Sequence, residues 1–382
     1  MMKKSRFILP FALAFLLGTS CQVAFTPDDL TEPISNESWI DGVENDHLKY
    51  TDWKQFADAA GINIDLNEVT PEMLAANTQQ MRDRLGENLK PVTNVDPRLV
   101  GRNFVFDKEW LQYIGNCISE ENFIKWRDRT DQVYDAYAYL TGTLARGGQR
   151  ISIDFENLDI NTAAVTHLDK PLISFNRCGV NLINNFLAIN GNNSWGFAQM
   201  HEMSHIFDYK SDGTKQPWNA EAESMANFKV DFAMEMLGAK FRRDEFNYAS
   251  GGNGIMEDAQ TFRNDVLAAV DENEKDNNLT TFAADGQHTS SEYDKYLYSL
   301  VQYVGCEPVI LAFRSYTDPK LESLLYEKDN SRAIAQKTAR TFIERVALYG
   351  GHPELLRQIA DGILLEKEFD FAQPKQEQEL LK

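Results

Sequence analysis

The chain has 382 residues, 43% of them hydrophobic, and a formal net charge of −20 at pH 7. That length suits two domains, or one large domain with an added segment, and the apolar content is enough for a core of ordinary size. The acidic balance repels polyanions, which argues against nucleic acid and anionic membrane surfaces as partners. Four cysteines are too few and too scattered for a disulfide framework.

In chain order, the first element is a leader. Lys3, Lys4 and Arg6 precede an apolar stretch from Phe7 to Leu17, and Gly18-Thr19-Ser20 lead to Cys21. A basic start, a short apolar stretch and small residues describe a secretory signal over residues 1–20. The stretch is too short to span a bilayer, which takes about 20 residues. Cys21 behind small residues resembles the lipobox of bacterial lipoproteins. That resemblance implies cleavage before Cys21, acylation of that cysteine, and a protein lipid-anchored in the bacterial cell envelope, periplasmic or surface-exposed. Loss of the leader takes the net charge from −20 to −23. Cys117, Cys178 and Cys306 then remain, either with one bridge or as three buried thiols.

Residues 21–36 are polar and proline-bearing and read as a tether. Residues 37–95 are mostly helical in pattern: Trp53, Phe56, Ala57 and Ala60 fall at helical spacing, and Met73 to Leu85 is a second helix. This segment either binds something or covers a cleft as an inhibitory arm. Phe104-Val105-Phe106 is a short strand. Ser119 starts a helix that runs past Trp126 towards Leu140 and stops at Gly142. Arg150 to Phe155 alternates as a strand, and Leu172 to Asn176 is another. Val180 to Ile189 is ambiguous, and residues 190–193 form a turn. Ser194 is a good N-cap for a helix through Phe207, and a second helix runs from Asn219 to Leu237, stopped by Gly238. A helix interrupts the polar stretch at 257–271. Tyr293 to Val304, Pro308 to Tyr316, Ser331 to Tyr349 and Pro353 to Leu365 continue as helices. The order is mixed α and β first and all α afterwards, an α+β class.

The chemistry is concentrated in His201-Glu202-Met203-Ser204-His205. Four residues on a helix return to within about 40° of the same face, so two imidazoles project together, a spacing that suits two ligands of one Zn²⁺. Glu202, roughly 100° round from His201, sits close to such an ion without ligating beside both histidines, where it can act as a base. Phe197, Met200, Met203 and Phe207 lie off the histidine stripe and can pack into a core. With six histidines in the chain, chance places such a pentapeptide in about one chain in a hundred of this composition. A third ligand is expected on the next helix, from Glu221 or Glu223. Glu223 has Asn227 on the same face four residues on, a suitable partner for a ligating histidine, whereas Glu221 has Met225. The metal set is therefore His201, His205 and Glu223, with Asn227 behind it. Asp208 either orients His205 or ends the helix in solvent.

His-Glu-x-x-His followed on a second helix by Glu-x-x-x-Asn resembles the gluzincin metallopeptidases, and the leader and helical tail are most like the enhancin-like, mucin-degrading branch. Ser204 departs from the glycine that branch often carries. The resemblance implies a zincin-like fold: an upper α/β subdomain with a mixed twisted sheet over 96–210 and a lower helical subdomain over 211–382, with a cleft between. It implies zinc as cofactor, Glu202 as catalytic base, and an extended substrate lying along an edge strand, for which Leu172 to Asn176 is the candidate. Gly286 to Ser291 looks like the transition-state histidine segment of thermolysin-type gluzincins. That casts His288 as a second catalytic group, with Tyr296 or Tyr298 as substitutes. The bland alternative for these is a surface histidine with tyrosines packing a helix. His47, His167 and His352 are read as bystanders.

The expected function is that of a zinc endopeptidase hydrolysing extracellular protein or glycoprotein as a monomer. The alternatives are a zincin-fold surface protein that binds without turnover, and a zinc amide hydrolase acting on cell-wall peptide.

Overall fold

The computed structural model describes residues 50, 52–86, 89, 91–114, 119–158, 164–167, 169–176, 194–219, 222–242, 256–264, 290–325, 339–353 and 355. The leader, tether and Cys21 lie outside the described residues, as do His47, Cys117, Cys178, 180–189, Glu221, His288 and 356–365.

Helices α1 (Trp53–Ala60) and α2 (Pro71–Leu85) open the described chain. The Asp52 carboxylate and the Thr70 hydroxyl accept the Gln55 and Met73 N–H groups at 2.9 and 3.2 Å, filling orphan donors at the two starts. Pro71 supplies a preset φ at its helix's first position. These helices belong to the core and are not laid over it as an arm. Phe56 is fully buried and meets the Tyr349 ring edge-on, with centroids 4.9 Å apart, and the Tyr139 hydroxyl donates to the Asn63 carbonyl at 3.2 Å.

Strand β1 (Phe104–Phe106) and helices α3 (Lys108–Ile114) and α4 (Glu120–Thr141) follow. The Ser119 hydroxyl caps α4 by accepting the Asn122 N–H. Gly142 ends it at φ +67°, where an added Cβ would lie 2.9 Å from Thr317 Oγ1, so both backbone and space call for glycine.

Strands β2 (Ile151–Glu156), β3 (Ala164–His167) and β4 (Leu172–Asn176) complete a four-stranded sheet of order β1-β2-β4-β3. The first three in that order are parallel, and β3 is antiparallel to β4. Ile151, Ile153, Ile173 and Phe175 are buried with Trp110, Phe123 and Trp126, and the Trp110 and Trp126 rings lie 4.9 Å apart. Leu172–Asn176 is thus an inner strand, paired on both sides and buried along its whole length. It has no free edge; among the described residues β3 is paired on one side only.

Ser194 does not cap a helix. Ser194–Gly196 is a strand, β5, pairing parallel with β6 (Lys240–Arg242), which is antiparallel to β7 (Met256–Glu257). Helix α5 (Phe197–Phe207) starts only after Gly196, which caps it without a side-chain bond. Pairing with a distant segment outweighs the local capping preference of serine. Helix α6 (Ala222–Leu237) comes next, and a helical turn occupies 259–264. Helices α7 (Ser290–Val304), α8 (Glu307–Ser315), α9 (Pro319–Leu324) and α10 (Ala339–Tyr349) close the described part. The architecture is mixed α/β, with a small mixed sheet and a predominance of helix. Among the described residues no helix is long and apolar enough to cross a membrane.

Candidate metal centre

Helix α5 is fixed from behind by α4. The Tyr137 hydroxyl donates to the Met200 carbonyl at 2.9 Å, and the Gln199 amide donates to Thr130 Oγ1 at 2.9 Å. Tyr134 and Tyr137 meet Phe207 edge-on, with centroids 5.0 and 5.5 Å away. Met200, Met203, Ile206 and Phe207 are buried, so the apolar side packs as its spacing predicts. On another side α5 touches α6, where Ser204 is fully buried and its hydroxyl donates to the Ala226 carbonyl at 3.1 Å. A small residue is needed where two helices meet, and serine supplies it here with its own partner.

His201 and His205 meet. Their Nε2 atoms are 3.0 Å apart, and the rings are nearly perpendicular with centroids at 4.6 Å. His201 Nδ1 lies 2.8 Å from Asn227 Oδ1 on α6. His205 Nδ1 is 3.5 Å from Asp208 Oδ2, and among the described residues no hydrogen bond reaches that oxygen. The acceptor at His201 Nδ1 favours the tautomer protonated there, which leaves a lone pair on His201 Nε2. The tautomer of His205 protonated at Nε2 donates to it across the 3.0 Å gap.

Behind Asp208 stands a residue that sequence reasoning missed. Lys229 on α6 donates to Asp208 Oδ1, and both side chains are fully buried. Burial pulls the Lys229 ammonium below its ordinary range, and the Asp208 carboxylate opposes that shift. Asp208 is therefore no solvated helix end: it spans from His205 to a buried cation. Its helical neighbours Met225, Ala226, Phe232 and Ala233 are all apolar, a phase that places Lys229 on the buried face.

Glu202 is met from the sheet. Thr166 on β3 places Oγ1 2.6 Å from the Glu202 carbonyl oxygen and 2.9 Å from Glu202 Oε2. His201, Glu202 and His205 are only 8%, 3% and 2% exposed, so these three residues are nearly enclosed. Each makes at least one further interaction beyond those above.

Glu223 lies in the first turn of α6, one turn before Asn227 and on the same face; its side chain lies outside the described residues. Among the described residues no group of three or more His, Cys, Asp or Glu side chains is gathered as for a metal ion. Tyr296 has an undescribed side chain. Tyr298 is fully buried against Phe228 and Phe262, with centroids at 5.2 and 6.1 Å. His167 sits on β3 with Nε2 2.8 Å from Ser174 Oγ and 3.3 Å from Glu156 Oε2. Its strand neighbour Thr166 points to the opposite face. Cys306 is a free, buried thiol 3.4 Å from Glu235, and burial raises its pKa.

Comparison of the chain with models of protein families, with curated proteins and with solved structures finds no match. Function is therefore argued from the sequence and this geometry.

Proposed function

We propose that the chain is a zinc-dependent endopeptidase of the bacterial cell envelope, anchored through Cys21 and acting on protein or glycoprotein. The observation that carries the reading is the approach of His201 Nε2 to His205 Nε2 at 3.0 Å, with an oxygen acceptor at His201 Nδ1. A shared cation takes the place of the proton that otherwise joins the two nitrogens. Nitrogens each about 2.0–2.1 Å from one tetrahedral zinc lie roughly 3.3 Å apart, so the observed pair needs to open by only about 0.3 Å. The donor chemistry fits: two neutral imidazoles on one helix, with Glu223 as the third ligand on the next.

Zinc held there supplies an acidified water at neutral pH and polarises a carbonyl oxygen. The protein's part is then positional. The Glu202 carboxylate takes a proton from the water and returns it to the leaving amine, and His288 is the proposed donor to the developing oxyanion. Thr166, beside Glu202, lies on β3, which pairs with β4 along one side, and among the described residues no strand pairs with the other. This supports an extended peptide adding main-chain hydrogen bonds along β3. A zincin-like arrangement, with the sheet above, the helices below and the substrate between, is the finer reading of the mixed α/β fold.

Glu202→Gln tests the assignment. The variant is expected to keep its zinc by metal analysis and to lose hydrolysis of a mixed protein and mucin digest read by mass spectrometry. Cleavage at the wild-type rate would overturn Glu202 as the base. Full zinc occupancy in a wild-type protein that cleaves nothing would mark a binding protein.

A further inference from the structure

We propose that Thr166 is a positioning residue for Glu202, holding the carboxylate of the base from the edge strand of the sheet. The inference rests on the reading of Glu202 as base.

Three observations carry it. First, Thr166 Oγ1 is within hydrogen-bonding distance of two oxygens of the same residue, the Glu202 carbonyl at 2.6 Å and Oε2 at 2.9 Å. A hydroxyl has one hydrogen and both oxygens are acceptors, so that hydrogen is shared between them or given to one at a time, with the carboxylate kept beside the hydroxyl. A glutamate side chain has several rotamers open to it, and freezing them has an entropic cost. A partner at both ends of the side chain selects one of them. Second, Thr166 engages only one of the two carboxylate oxygens through this contact, so the bond sets direction without consuming the acceptor capacity of the group.

Third, β3 is a firm mount although it is an edge strand. Its next residue, His167, lies on the other face and is 2.8 Å from Ser174 Oγ on β4, and Ser174 Oγ donates to Asp154 Oδ1 on β2 at 2.6 Å. Glu156 Oε2 on β2 is 3.3 Å from the same imidazole nitrogen. Side chains from two strands thus hold β3 from one face while Thr166 reaches Glu202 from the other. The strand proposed to take up a peptide is also the strand that aims the base, so peptide register and base position share one support.

Thr166→Val removes the hydroxyl and keeps the branched shape. Its kcat is expected to fall roughly ten- to hundredfold, the loss of one hydrogen bond to a charged group, with KM changed by less than about twofold. Zinc affinity, measured by chelator competition, is expected to stay within about twofold, because Thr166 touches neither imidazole. A crystal structure of the variant is expected to show the Glu202 carboxyl in another rotamer. Thr166→Ser restores kcat, and Thr166→Ala serves as the second deletion if the valine variant does not fold. In a Glu202→Gln background Thr166→Val is expected to add no further loss. Equal losses in both backgrounds would mean that Thr166 merely supports the fold and would overturn the proposal. So would wild-type kcat in Thr166→Val beside an inactive Glu202→Gln. A fully active Glu202→Gln is the distinct outcome that removes the base itself, and this inference with it.

Discussion

Replacing Asn227 with leucine keeps the approximate size of the side chain and removes the oxygen that lies 2.8 Å from His201 Nδ1. Asn227 is partly buried and His201 nearly fully so, so the bond is worth about 1 kcal/mol net. Its loss also frees the tautomer. With no acceptor at Nδ1 the neutral ring divides between two forms, only one of which presents a lone pair at Nε2, and that halving adds about 0.4 kcal/mol. Together these give about 1.4 kcal/mol, a tenfold weaker site, at the lower end of the ten- to hundredfold range for outer partners of metal ligands. The assay is zinc competition against a chelating dye at constant pH. Asn227→Asp is the control: it keeps an acceptor and adds a charge, so its affinity equals or exceeds wild type. If Asn227→Leu stays within twofold of wild type while His201→Ala loses zinc altogether, the bond has no part in presenting the imidazole and the reasoning fails.

Two further outcomes are expected. Lys229→Met leaves the Asp208 carboxylate buried without its counter-charge, which costs about 3–5 kcal/mol; urea unfolding reads this, and the double variant Asp208→Asn/Lys229→Met recovers most of it. Wild-type stability in the single variant would refute the buried pair. Asp131 sets a pH dependence: burial raises its pKa to about 6, against opposing hydrogen bonds from the Arg102 and Asn103 N–H groups. A carboxyl raised in the folded state binds more protons there than in the unfolded chain between about pH 4 and 6. Its contribution is therefore complete below the unfolded pKa and is lost as pH rises through 6, by about 3 kcal/mol. Stability curves at pH 4 and pH 7 should show wild type losing that much more than Asp131→Asn, and parallel curves would contradict the assignment.

What could be read from the sequence was what depends on local geometry. Ser119 and Gly142 bound α4 because a hydroxyl at an N-cap and a glycine at positive φ act within one turn. The pairing of His201 with His205 follows from 3.6 residues per turn, and the reach of Asn227 to the site was legible as helical phase. Ser194 misled because its capping preference, worth about 1 kcal/mol, is smaller than the pairing of β5 with β6. Strand β3 went unseen for another reason: Ala164-Val-Thr-His is only four residues long, too short for alternation to register. It is a strand because β4 pairs with it. The burial of Leu172–Asn176 along its whole length is the mark of an inner strand, and the apolar run Leu-Ile-Ser-Phe could have signalled that it was no edge.

Thr166 was invisible because it acts across a docking of elements far apart in the chain, whereas the apolar neighbours of Lys229 at helical spacing signalled its burial but not its partner. Thr166 and Lys229 also bear on whether the pentapeptide is more than two histidines sharing a helix face. Any buried polar group must find a partner, at about 1–3 kcal/mol if it does not, so partners alone decide little. The arrangement of the partners decides more. His201 is met from α6, Glu202 from β3, and His205 by Asp208, itself braced by Lys229. Mere satisfaction of two imidazoles is indifferent to which nitrogen is engaged. Here an oxygen acceptor stands at His201 Nδ1 and both Nε2 atoms converge at 3.0 Å, so that either a proton or a cation lies between the rings. The proton needs only the His205 tautomer protonated at Nε2, with Asn227 as it stands. Zinc that binds there must displace that proton, so zinc affinity falls as pH drops. A variant lacking either imidazole, His201→Ala or His205→Ala, loses that zinc; retention of wild-type affinity in either would leave the pair as two histidines that merely share a proton.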